Sequence, residues 1–167
     1  METIKEALTL DDVLILTKYS AFLPSKTNIT LQLTKEIFLK VPLLTSAMDT
    51  VTESKMAIAI AAEGGIGVIH RNLDIKKQSA EVKKVKSKKL TVAAAIGTNT
   101  EDLDRARSLI SNGVDLIVSD TAHGHSKKVL QTLLKIKKIT NQIPICVGNI
   151  ATGEAAKKLF NCGADII

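Results

Sequence analysis

The chain has 167 residues, 45% of them hydrophobic, with 2% aromatic, no tryptophan and a formal charge of +6 at pH 7. That length and apolar content suit one globular domain, and nine glycines and three prolines are too few for a disordered or repetitive chain. A core drawn from Ile, Leu, Val and Ala fits strands covered by helices, and the charge predicts only a mild attraction for anionic ligands.

Residues 1–20 mix charge with Leu8, Leu10, Val13, Leu14, Ile15 and Leu16, and are expected to pack on the body of the domain. Alternation around Ile29, Leu31 and Leu33, then Ile37, Leu39 and Val41, predicts short antiparallel strands joined by a turn near Thr34-Lys35-Glu36. From Pro42 a regular unit begins. Leu43 and Leu44 lead into the loop Thr45 to Thr50, and Thr50 with Glu53 reads as a capping box for a helix through Met56 to Ala62, stopped by Gly64 and Gly65. Ile66 to Ile69 is the second strand and ends in His70-Arg71-Asn72; Asp74 can cap the helix that carries Ile75, Val82 and Val85.

Leu90 to Ile96 is the third strand, with Thr98 and Glu101 as a second capping box and Gly113 ending the next helix. Val114 to Ser119 is the fourth, and Ser126 caps the helix after it. Pro144 to Val147 is the fifth, followed by Gly148-Asn149-Ile150 and a helix capped by Thr152 and ended by Gly163. Asp165-Ile166-Ile167 opens a sixth strand. Repeated strand, small-residue loop and capped helix imply parallel strands with right-handed crossovers. The first loop lacks the glycine fingerprint of an open dinucleotide-binding sheet. The expected fold is therefore a (β/α)8 TIM barrel, of which about five and a half βα units are present.

Charge and cysteine placement narrow the function classes. Lys76, Lys77, Lys83, Lys84, Lys86, Lys88 and Lys89 fall on one helix and its exit, and Lys127, Lys128, Lys135, Lys137 and Lys138 on another, interleaved with apolar residues as on solvated faces. No aromatic platform accompanies them, so nucleic acid is not an expected partner. Cys146 and Cys162 lack CxxC or metal-ligand spacing, which argues against a disulfide scaffold or a zinc site. With no signal-type stretch and no apolar run of membrane-spanning length, the expected location is the cytoplasm, with no membrane partner.

Parallel strands gather their C-terminal loops on one face. Here that collects Ser46, Met48, Asp49, His70, Arg71, Asn72, Asp120, Thr121, His123, His125 and Asn149. Met48 alone reads more readily as core than as ligand contact. Asp49 can satisfy loop amides, His70 and Arg71 can pair with a neighbouring carboxylate, and Asn149 can bond its own turn. Asp120 is different: a carboxylate directly after an apolar strand needs donors, and ribose hydroxyls are a common answer. His123 and His125 lack a third ligand of strong spacing, so a metal is weakly supported. The residues by themselves define a ligand-binding α/β face of unspecified reaction.

Five motifs in order make the pattern specific: residues 8–16 (Leu-Thr-Leu-Asp-Asp-Val-Leu-Ile-Leu), residues 43–56 around Ser46-Ala47-Met48-Asp49, Gly64-Gly65-Ile66-Gly67-Val68-Ile69-His70-Arg71-Asn72, Asp120-Thr121-Ala122-His123-Gly124-His125-Ser126, and Gly148-Asn149. Together they resemble the IMP dehydrogenase / GMP reductase family, over essentially the whole chain and on the dehydrogenase side. The resemblance implies that residues 1–167 are the N-terminal portion of a single (β/α)8 catalytic barrel. It implies a homotetramer that oxidises inosine 5′-monophosphate (IMP) to xanthosine 5′-monophosphate with NAD, on the path to guanine nucleotides. It assigns Ser46, Met48 and Asn149 to IMP, and Asp120, Thr121, Ala122 and Asn149 to the dinucleotide.

The family's nucleophilic cysteine, which attacks C2 of the purine to form a thioimidate, is expected beyond Ile167. So are its monovalent-cation loop, taken to hold potassium, and its phosphate loops and flap. None of these 167 residues is expected to be the nucleophile, and alone they are not expected to be active. No CBS regulatory pair interrupts the chain between about residues 86 and 90. Two alternatives remain: a non-catalytic nucleotide-binding or scaffolding fragment of such a barrel, and GMP reductase. The latter typically carries a different loop after the fourth strand and lacks the Thr-Glu that here follows Thr50-Val51.

Overall fold

A computed structural model describes residues 6–9 and 11–167. Two short antiparallel strands, β1 (Leu31–Gln32) and β2 (Phe38–Leu39), precede a parallel sheet of five: β3 (Leu44–Thr45), β4 (Ile66–Ile69), β5 (Val92–Ile96), β6 (Leu116–Asp120) and β7 (Ile145–Gly148). The helices α1 (Ser54–Ala62), α2 (Ile75–Ser87), α3 (Glu101–Ser111), α4 (Lys127–Ile139) and α5 (Gly153–Asn161) each follow one strand of that sheet. Sheet order equals chain order, so every crossover returns to the neighbouring strand and the sheet curls as half of a (β/α)8 barrel.

The alternation of side chains explains why the strands read as continuous apolar runs. On β5, Val92, Ala94 and Ile96 join the cluster packed under the helices with Val82, Leu109 and Leu133. Ala93 and Ala95 point the other way, into a second cluster with Ile66, Val68, Leu116 and the hairpin residues Ile37 and Leu39. A strand buried on both faces has no polar side to show, and the β1–β2 hairpin covers part of the concave face.

The expected elements hold, with shorter strands and some changed ends. Asp74, Ser126 and Thr152 cap α2, α4 and α5 by accepting from Lys77, Val129 and Ala155 amides at 2.8, 3.4 and 3.2 Å. Gly64, Gly113 and Gly163 end α1, α3 and α5 at positive φ (93°, 84° and 97°), where a Cβ would be strained. The sixth strand is visible as a parallel bridge from Cys146 to Ile166, with the Val147 amide donating to the Ile166 carbonyl at 3.0 Å. Residues 88–91 alone join α2 to β5.

Three expectations fail. Thr50 does not cap α1: it sits at φ 62° in the turn before the helix, and α1 starts only at Ser54. Thr98 does not cap α3 either, because the helix begins after Thr100 and the Asn99 amide is taken by the Asp102 carboxylate at 2.8 Å. The N-terminal segment does not pack on the body: Leu14 and Ile15 are 93% and 98% exposed, and Leu8, Val13 and Leu16 are exposed too, while Leu10 lies outside the described residues. Among the described residues, no helix is long and apolar enough to cross a membrane.

Candidate functional site

The loops after β6 and β7 are stitched together by their backbones. The Thr121 amide and hydroxyl both donate to the Gly148 carbonyl (3.0 and 2.7 Å), the Asn149 amide donates to the Thr121 carbonyl (2.7 Å), and the Gly124 amide donates to the Asn149 carbonyl (2.6 Å). The parallel ladder, whose last pair is Asp120 with Gly148, is thereby carried beyond the sheet. Gly124 is buried in that contact, where a Cβ would stand 2.9 Å from the Asn149 carbonyl oxygen. The small residues of this stretch thus let two backbones meet.

Asp120 stands where two clefts adjoin. One, of about 360 Å³, is lined by Val118, Asp120, Cys146, Gly148, Asn149 and Ile167, among others. The other, of about 320 Å³, is lined by Ala47, Asp49, His70, Arg71, Asn72 and Asp120, and so draws on the loops after β3, β4 and β6. Its wall is ordered by hydrogen bonds. The Asn72 side-chain amide donates to Asp49 at 2.6 Å, and the Asn72 backbone amide donates to His70 Nδ1 at 3.1 Å. With Nδ1 accepting, the ring proton sits on Nε2, which faces Glu53 Oε1 at 3.4 Å and Asp49 Oδ1 at 3.9 Å.

The residues singled out from the sequence separate into two groups. Asp120, Thr121 and Asn149 come together at the β6–β7 rim, and Asp49 reaches the cleft of Asp120. Thr121 spends its hydroxyl proton on the Gly148 carbonyl, while Ala122 is exposed beside it. Ser46 and Met48 line neither cleft. The Ser46 carbonyl accepts from the buried Thr52 hydroxyl at 2.6 Å, and the Met48 side chain is 59% exposed. His123 and His125 have ring centroids 6.5 Å apart, and no group of three metal-ligating side chains exists among the described residues. Of the two cysteines, Cys146 lines the first cleft on β7 and Cys162 caps the end of α5.

Sequence reasoning passed over a buried polar group behind this rim. Gln78 of α2 and Asp102 and Arg105 of α3 are buried against the ends of β4 and β5. A signal was present: Gln78 and Ser79 occupy the i+3 and i+4 positions after Ile75, where an apolar stripe continuing to Val82 and Val85 should hold hydrocarbon.

A curled parallel sheet whose polar loops collect at the C-terminal strand ends is the architecture of a partial TIM barrel. The sequence comparisons specify which kind. Residues 7–167 match the profile described as the IMP dehydrogenase / GMP reductase domain. The chain is 37% identical to an inosine-5′-monophosphate dehydrogenase of Borreliella burgdorferi, and 38% identical to one of Cryptosporidium parvum. These alignments cover 98% of this chain but 53% and 51% of the relatives. A third enzyme of that name, from Aquifex aeolicus, is 30% identical over 98% of the chain and 60% of its own length. The chain belongs to the IMP dehydrogenase / GMP reductase family, and it spans about half the length of the curated relatives it matches.

Proposed function

We propose that this chain is the nucleotide-binding half of an NAD-dependent IMP dehydrogenase. The observation that carries this reading is the position of Asp120, an acceptor-only carboxylate on the rim between two clefts, with its loop latched to that of Asn149. A ribose diol offers two donors to such an acceptor. Gly148 adds clearance, since a Cβ there would meet nothing within 4 Å. Asp120 would hold the nicotinamide ribose, with Thr121 and Ala122 lining the same subsite. Asn149 would reach both ligands, and Ser46 and Met48 would lie against IMP. NAD, when bound, supplies the hydride acceptor.

The attacking thiolate and the potassium-binding carbonyls are assigned to chain following these residues, and the assembly is proposed to be a homotetramer. Cys146 is unsuited to attack, because burial and then Asp120 push its thiol up to about 11. The test is turnover by the complete protein that contains this chain, with IMP and NAD as substrates and reduced dinucleotide as the readout. Asp120→Ala should raise the KM for NAD by about 10- to 100-fold, the cost of losing hydrogen bonds to a charged group, and leave IMP affinity nearly unchanged. Equal loss of both ligands would reject the ribose role. Consumption of guanosine monophosphate in place of IMP would identify a reductase, and binding without turnover a scaffold.

A further inference from the structure

At the ends of β4 and β5 the side chain of Gln78 meets three backbone carbonyls. Its amide nitrogen donates to Ala95 O at 2.8 Å and His70 O at 3.0 Å, with Ile69 O a third, shared acceptor at 3.3 Å. The orientation of this amide is forced. Its oxygen faces Arg105 Nη1 at 2.8 Å, and a guanidinium can only donate. The same Nη1 donates to Leu73 O at 2.9 Å, and Arg105 Nε lies 3.3 Å from Asp102 Oδ1. Asp102 in turn accepts the Asn99 amide, and a Cβ on Gly97 would strike its Oδ2 at 2.7 Å.

One connected group therefore spans α2, α3 and the loops after β4 and β5. It is buried throughout, with Gln78 at 0%, Asp102 at 3% and Arg105 at 7% exposure. Burying a charged pair and an amide is costly unless the geometry serves something. What this group grips is the turn His70–Leu73, the one that gives His70, Arg71 and Asn72 to the cleft shared with Asp120.

We propose that Gln78 and Arg105 are positioning residues. They clamp the His70–Leu73 turn from behind, hold the His70 ring as the tautomer with its proton on Nε2, and so fix the cleft wall opposite Asp120. Removing the clamp frees the His70 and Leu73 carbonyls, lets the turn shift, and breaks the bond from the Asn72 amide to Nδ1 that selects the tautomer. The effect on ligand rests on the dinucleotide reading above; the effect on His70 does not.

The test uses the complete protein with nitrogen-15-labelled histidine. The parent should show His70 as a single tautomer, protonated at Nε2. Gln78→Met, close in shape but unable to donate, should give a mixture of His70 tautomers and raise the KM for NAD relative to that for IMP by about tenfold, the scale of lost supporting contacts. Arg105→Lys keeps the charge but not the planar guanidinium that directs Nη1 at both acceptors, and should do the same more weakly. It decides the matter if Gln78→Met does not fold. A single unshifted His70 tautomer in the folded variants overturns the clamp. A shifted tautomer with an unchanged ratio of KM values overturns its link to the ligand. A parent that binds neither nucleotide defeats the functional reading, while the resonances still decide the clamp.

Discussion

Cys146 pairs with Val118 across the β6–β7 ladder and shares a cleft with Asp120, two residues further along β6. Burial first, and then the negative charge of Asp120, raise its thiol from 9.0 to about 11. Because the thiolate is the reactive form, Cys146 should be quiet at pH 8 although it lines an open cleft. Alkylation with iodoacetamide, read by peptide mass spectrometry, should label it slowly at pH 8 and about tenfold faster for each added pH unit until the pH nears its pKa. Asp120→Asn removes the charge, lowers the thiol's pKa and should speed labelling at pH 8. Rapid labelling of Cys146 in the parent at pH 8 would contradict the assignment.

Gly124 is held by space rather than by backbone angle. A Cβ there would stand 2.9 Å from Asn149 O, 3.1 Å from Ile150 Cγ2 and 3.2 Å from Gly148 C, and two of these are backbone atoms that cannot swing aside. Gly124→Ala should push the two loops apart and cost ~1–3 kcal/mol, as overpacking does, with each kcal/mol lowering Tm by about 2–4 °C in a chain this long. Gly153→Ala is the control, since its Cβ meets nothing within 4 Å. Thermal melts should separate the two variants.

A device at the opposite end of the sheet occurs twice and ties neighbouring units. After α3, Gly113-Val114-Asp115 turns the chain into β6; the Asp115 carboxylate accepts the Val92 amide at the start of β5 and both its oxygens lie 2.8 Å from Lys86 Nζ of α2. After α5, Gly163-Ala164-Asp165 repeats this: Asp165 accepts the Ile145 amide at the start of β7 and the Lys137 ammonium of α4, each at 2.7 Å. Asp115→Ala should cost ~1.5–3 kcal/mol in urea unfolding, the range for hydrogen bonds to charged groups. Lys86→Met should cost only ~0–1 kcal/mol, as a solvent-reachable pair does. Equal losses from the two variants would mean that the ion pair matters more than the tie to the strand.

The βα repeat was legible because buried parallel strands and one-sided helices leave different periods in the sequence. Caps were legible where the side chain serves its own helix, as with Asp74, Ser126 and Thr152. Thr50 and Thr98 misled because the same spacing can fall on a turn, and only the backbone says which: Thr50 sits at φ 62° in the turn before α1, whose cap position is Glu53. The Asp120 rim could be anticipated from one carboxylate at a strand end. Its latch to Asn149 could not, since backbone amides meeting across two loops leave no mark in composition. Gln78 and Arg105 marked themselves by interrupting apolar stripes, but their partners are carbonyls, which every residue has.

The missing cap of α1 is supplied from another helix. The Ser54 amide, first in α1, donates to the Glu81 carboxylate of α2 at 2.9 Å, and Lys84 pairs with the other oxygen of Glu81. Partial burial works to raise the Glu81 pKa, but the hydrogen bonds from Lys84 and Ser54 outweigh it and hold the carboxyl below its ordinary 4.5. A depressed carboxylate stabilises the fold above its unfolded pKa and ceases to do so as pH falls through its folded one. The contribution of Glu81 should therefore be constant from neutrality to about pH 5, and fade below 4.5 as the carboxyl protonates and α1 loses its cap. Urea unfolding across pH 3–7 should show Glu81→Gln less stable than the parent at pH 7, by ~0.3–1 kcal/mol as for an acidic charge at a helix N-terminus, with the gap closing toward pH 3. A gap that persists at pH 3 would mean that the charge of Glu81 is not what secures α1.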